Sequence, residues 1–182
     1  MRLQLANWVP VRDVLRIGAA IAVALLLPRR FWGQPREILM ALLVGIALGL
    51  ATYIILSTRN RAASAAWPER RWRPRFVALL LAHAAYEELV WRGLAFQVLG
   101  QYVPLPAAFL VSAGGFAGLH YESQGLKGVA VHLLTGTAFA GVVLLTGSII
   151  AAIAAHATYN LFAIASRTST DAAARTAREA LP

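Results

Sequence analysis

Four ionisable side chains fall within one apolar stretch, Phe76–Leu99: His83, Glu87, Glu88 and Arg92. Helical spacing stacks His83 with Glu87 and Glu88 with Arg92, each pair four residues apart. The two faces lie about 100° apart around the axis. Arg92 can therefore hold Glu88 in a buried, hydrogen-bonded ion pair, which leaves Glu87 free to take up and release a proton. Two adjacent carboxylates compete for ionisation in a low dielectric, so one fixed anion beside one titrating acid is the arrangement that a general base needs. A buried Glu–Arg pair alone is a common helix-packing device. Packing does not need two further ionisable groups at the same depth, and polar groups in a membrane segment point to function.

Two other apolar segments carry a histidine. His120 closes Pro104–Leu119, with Phe116 one turn before it and the small residues Ser112, Ala113, Gly114, Gly115, Ala117 and Gly118 around it. Small residues of this kind let helices approach closely. His156 lies near the middle of Ser148–Ala165, and Asn160 follows one turn later, so the pair offers two polar groups on one face. His132 has no polar neighbour at helical spacing and reads as an interhelical hydrogen bonder.

Several designs for bond cleavage inside a membrane are excluded. There is no cysteine, hence no thiol nucleophile, disulfide or thiolate metal site. The only aspartates, Asp13 and Asp171, lie outside the apolar runs, so an aspartyl dyad is impossible. HExxH is absent. Ser112 and Ser148 lack the glycine-flanked setting of a serine nucleophile. Glutamate and histidine remain.

The elements that must position these residues are membrane helices. Hydrophobic residues make up 59% of the 182 and charged residues only 14%, well away from a soluble domain. The excess falls in blocks: Ile38–Leu56, Phe76–Leu99, Pro104–Leu119, Val129–Leu145 and Ser148–Ala165, with a shorter sixth at Val14–Leu27. Pro28-Arg29-Arg30 after that first block is no signal-peptide cleavage site, so the block is expected to be retained.

The fold expected is an all-α, polytopic membrane helix bundle of about six transmembrane helices. It forms one domain over 1–166, with its motifs in 76–165 and a polar, flexible tail over 167–182. The net charge of +9 does not call for nucleic acid. Arg59, Arg61, Arg70, Arg71, Arg73 and Arg75 cluster with Trp67 and Trp72 in one linker, as in a cytoplasmic membrane-flanking loop. Six helices with a cytoplasmic N-terminus put thirteen basic residues inside (Arg2, Arg12, Arg16, those six, Lys127, Arg167, Arg175, Arg178). Only Arg29, Arg30 and Arg36 fall outside, so both termini are expected in the cytoplasm. Glu87 then lies about 16 Å from the cytoplasmic edge, in a cavity open to that side, with a loop over Tyr121–Gly128 as its rim.

Glu87-Glu88-x-x-x-Arg92, Phe116-x-x-x-His120 and His156-x-x-x-Asn160 resemble, in order and spacing, the three motifs of the CAAX-protease and bacteriocin-processing family of intramembrane endopeptidases. The first motif is the most specific; the set, each on its own segment, makes the match. The similarity spans roughly Phe76 to Ala165. Trp91 stands where many bacterial relatives carry Phe.

The resemblance implies a glutamic-type protease without an obligatory cofactor. Glu87 and His120 would activate the attacking water, His156 and Asn160 would stabilise the oxyanion, and Glu88 and Arg92 would order the site. The implied partners are a membrane-associated protein or peptide substrate and the lipid bilayer of a bacterial cytoplasmic membrane. One alternative is a zinc-dependent intramembrane protease with Glu87, His120 and His156 as ligands. Another is a non-catalytic membrane transport or immunity partner, because intramembrane Glu, His and Arg also build ion paths.

Overall fold

The computed structural model describes residues 5–57 and 74–163, and these are all-helical, with no strand among them. Six α-helices follow in order. They are α1 Leu5–Leu26, α2 Ile38–Ser57, α3 Pro74–Glu88, α4 Leu105–Gly118, α5 Tyr121–Thr146 and α6 Ile149–Ala163. The arginine- and tryptophan-rich linker, the tail over 167–182 and the first few residues lie outside the described residues.

Among the described residues two stretches are long and apolar enough to cross a bilayer: Arg29–Leu56, which takes in α2 as far as Leu56, and α5. Val14–Leu26, α4 and α6 are shorter apolar helices. A core helix of a water-soluble protein would pass the same length test, but it would be mostly covered by protein. Here only 22% of the apolar window in Arg29–Leu56 and 39% of that in α5 are buried. Leu39, Met40, Leu43, Ile46, Ile54 and Ile55 of α2 all face outward. An exposed apolar surface of that extent calls for lipid.

α2 lies against α6 through small residues. A methyl group at Gly45 would sit 2.3 Å from the Ala151 carbonyl oxygen, and one at Gly49 equally close to that of Ala155. Glycine every four residues on one helix facing alanine every four on the other is the close-approach packing of membrane helices. Phe96, Phe139, Val142 and Val143 fill the rest of that core with Ala41, Ala151, Ala152 and Ala155. A second cluster of Leu27, Leu89 and Ile149 joins the end of α1 to the start of α6. There the Ser148 hydroxyl donates to the Trp32 carbonyl at 2.7 Å.

Two elements depart from the expected pattern. The α period of Phe76–Leu99 holds only as far as Glu88; Leu89–Val98 continues as a π-helix. Long π segments are rare, and they occur at functional sites. The carbonyl of Trp91 in this segment accepts a hydrogen bond from Ser112 Oγ at 2.7 Å, which fastens the wide coil to α4.

The second departure is Tyr121–Gly128. It is not a loop but the start of α5, broken by Gly125 at φ 62°, ψ −164°. Glycine alone adopts that conformation without strain. The break falls five residues after His120, one turn into α5.

Candidate active site

α3 delivers His83, Glu87 and Glu88 to one end of the helix, and the first turn of the π segment adds Arg92. The four-residue spacings produce the contacts that the helical period requires. His83 Nε2 lies 2.8 Å from Glu87 Oε1, and Arg92 Nη1 donates to Glu88 Oε1 at 3.1 Å. The two acids differ in burial: Glu88 and Arg92 are fully enclosed, whereas the Glu87 side chain retains 13% exposure. Glu87 is therefore the acid that a reacting group can reach.

The Arg92 guanidinium is held on three sides. Nη2 donates to the Gly136 carbonyl of α5 at 3.0 Å, and the planar group lies over the rings of Phe116 at 4.4 Å and Phe139 at 5.7 Å. Gly136 has to be small, because a methyl group there would sit 3.2 Å from both Nη2 and the Phe116 ring. Gly115 makes room in the same way for the Trp91 ring.

His156 arrives on α6 and completes the acid cluster. Its Nδ1 lies 2.8 Å from Glu88 Oε1, so the carboxylate accepts from Nδ1–H and sets the orientation of the ring. Nε2 points toward Glu87 Oε2 at 3.6 Å. That gap is wider than a hydrogen bond, so neither atom is consumed by the other. The His156 ring stacks on Phe139 and meets Phe116 edge-on. Asn160, one turn further along α6, is half-buried, and no hydrogen bond ties it to the acids among the described residues.

His120 lies in the turn between α4 and α5. Its Nδ1 is 2.8 Å from the Phe116 carbonyl oxygen, and because a carbonyl only accepts, Nδ1 is the protonated nitrogen. The ring is within electrostatic range of Glu87. His120 does not touch the acids directly; Phe116 connects it to them. That buried ring meets His120, His132 and His156 edge-on, with centroids 5.0, 5.4 and 5.9 Å away.

The structure thus ties Glu88 to both Arg92 and His156 by hydrogen bonds, brings Glu87 within 3.6 Å of His156 and sets His120 against Phe116, while Asn160 makes no hydrogen bond to the acids among the described residues. Two participants gain a role that their spacing does not give them. Phe116, which the motif marks as a neighbour of His120, is the hub of the cluster. His132, which the spacing marks as a lone interhelical bonder, stacks on His120 with centroids 3.5 Å apart and planes 19° from parallel. The signal that could have found His132 is the glycine pair Gly125 and Gly128 ahead of it. A straight helix from Tyr121 would carry residue 132 about 16 Å away, so the rings meet only because the chain breaks.

Among the described residues no three His, Cys, Asp or Glu side chains converge as a metal ion requires. The cluster can instead accept a proton at a partly exposed carboxylate and donate hydrogen bonds from an anchored imidazole beside it.

Neither a curated protein nor a solved structure matches the chain. The family model of the type II CAAX prenyl endopeptidase Rce1-like proteins does, over residues 70–162. The matched stretch contains every residue of the cluster: His83, Glu87, Glu88, Arg92, Phe116, His120 and His156. It covers just over half of the 182 residues. With the apolar helices, this makes the chain a membrane-embedded protease that acts on a peptide or protein, and it belongs to the Rce1-like family of type II CAAX prenyl endopeptidases.

Proposed function

We propose that the protein hydrolyses a peptide bond of a membrane-associated protein or peptide with a water activated by Glu87. The observation that carries this reading is the contrast between the acids: Glu88 enclosed by Arg92 and His156, Glu87 partly open, with no bond to Oε2 shorter than 3.6 Å among the described residues. Glu87, assisted by His120, takes a proton from water as the oxygen attacks the scissile carbonyl carbon. The negative charge that develops on the carbonyl oxygen is met by hydrogen bonds from His156 Nε2 and the Asn160 amide. Donation through Nε2 while Nδ1 donates to Glu88 requires a proton on both ring nitrogens. As the C–N bond breaks, Glu87 returns its proton to the leaving amine. Glu88 and Arg92 touch no reacting atom in this scheme; they hold His156 and the end of α3 in place.

Protein purified in detergent is expected to cleave members of a membrane-peptide library and to keep its activity after exhaustive chelation. Stoichiometric zinc that disappears together with activity in His120→Ala would instead establish the metal-dependent mechanism with Glu87, His120 and His156 as ligands.

The same proposal places the chain in a bacterial cytoplasmic membrane as a single domain of six crossings over 1–166, with both termini and the short 167–182 tail in the cytoplasm. Its support is the distribution of basic residues, thirteen against three across the expected loops. The site then opens to the cytoplasm beside the Gly125 break in α5. Because the chain has no cysteine, a single cysteine at Tyr121, which is exposed, reports the side directly. Labelling of Tyr121→Cys in intact cells by a membrane-impermeant reagent would reverse the topology; protection until the membrane is opened is the expected result.

A further inference from the structure

His132 is a titratable group that the hydrolytic scheme leaves unused. It is half-buried, its Nδ1 is enclosed without a hydrogen-bond partner among the described residues, and it lies within electrostatic range of His120, Glu87, His156 and Arg92. A residue needed only to fill this space would be apolar, since leaving a ring nitrogen enclosed and unpaired is unfavourable. Its most specific contact is the stack on His120, with centroids 3.5 Å apart and planes 19° from parallel.

That geometry rules out one role and supports another. Imidazole N–H groups and lone pairs lie in the ring plane, so two rings stacked face to face cannot pass a proton between them. A flat ring against one face, with the Phe116 edge on the other contact at 5.0 Å, does restrict rotation of His120 about its own side chain. The hydrogen bond from His120 Nδ1 to the Phe116 carbonyl survives only in the orientation that the stack permits. In that orientation Nε2 carries the lone pair and is the basic atom.

We propose that His132 is a positioning residue of the active site: its stacked ring holds the His120 imidazole in one orientation and one tautomer. The proposal rests on His120 assisting Glu87 in the reaction. Gly125 has a part in it, because the break there returns α5 beside the end of α4 and brings the two rings together.

The test uses the full chain in detergent, with His132→Phe keeping a flat ring and His132→Leu removing it. Nitrogen-15 NMR of the His120 ring, assigned by its loss in His120→Gln, is read alongside kcat and KM on a library peptide that the wild type cleaves. The wild type and His132→Phe should show His120 protonated at Nδ1 alone. His132→Leu should show the two tautomers averaged and a kcat lower by about 10- to 100-fold, with KM unchanged. If His132→Leu does not fold, His132→Gln, ringless and polar, takes its place. A single His120 tautomer in the ringless variant would overturn the proposal. So would His132→Phe being as impaired as His132→Leu, or a loss confined to KM. Averaged tautomers with undiminished kcat would overturn the role given to His120 in hydrolysis and leave the positioning intact.

Discussion

Glu87→Gln is expected to lower kcat for peptide cleavage by about 10³-fold or more, the upper part of the range that a general base contributes. The substitution keeps the volume and one oxygen, so the amide fits where the carboxylate was. It removes the one carboxylate of the pair that is reachable: Glu88 lies fully enclosed between Arg92 and His156 and cannot take its place. Folding should survive, because the substitution weakens the pairing with His83, whose side chain is 36% exposed, and the looser 3.6 Å approach to His156, and partly exposed ion pairs contribute little. Glu87→Asp separates chemistry from placement. It keeps the carboxylate but retracts it by one methylene, and a displacement of that order costs about 10²-fold. Initial rates with matched melting curves check both variants. A Glu87→Gln protein within tenfold of wild type would remove Glu87 from the mechanism.

The largest effect on stability is expected at Arg92. Arg92→Met strips the counter-charge from a carboxylate with no exposure, and removing one partner of a buried ion pair costs about 3–5 kcal/mol. It also leaves the Gly136 carbonyl without its donor and the Phe116 face without its cation. Arg92→Lys keeps the charge but not the fork: one ammonium on a flexible stem replaces a planar group that serves Glu88 Oε1 and the Gly136 carbonyl at once. An intermediate loss is expected.

The double variant Arg92→Met with Glu88→Gln is the informative one. With the charge gone from both sides, much of the stability should return, and the departure from additivity measures the pair. Activity should not return, because His156 Nδ1 then meets a neutral amide in place of the carboxylate that holds it at 2.8 Å. Unfolding in detergent, followed by tryptophan fluorescence, gives the stabilities of the single and double variants. A drop below about 1 kcal/mol in Arg92→Met would show the pair to be solvated and not enclosed.

What the residues alone disclosed was whatever depends on neighbours along the chain. Apolar blocks separated by polar linkers announce helices in lipid, because a backbone in hydrocarbon must bond to itself. The contacts His83–Glu87 and Glu88–Arg92 follow from a four-residue spacing on one helix, so they are legible before any fold is known. The difference between the two acids was legible for the same reason, since only one of them has a guanidinium one turn away.

What depends on how helices meet was settled only in three dimensions. By spacing, His156 is the partner of Asn160 on its own face, yet its Nδ1 bonds Glu88, 68 residues earlier, because α6 packs its polar face onto the end of α3. Phe116 is marked by its spacing only as a neighbour of His120 until α4, α5 and α6 converge on its ring. Two further features carry no periodic signal. The change from α to π coil after Glu88 leaves the apolar composition unaltered, so hydropathy cannot register it. The stacking of His132 on His120 comes with the helix break at Gly125, which the glycines mark but whose direction no pattern of side chains gives. Local spacing determined which groups are paired along a helix, and packing between helices decided which of those pairs became a site.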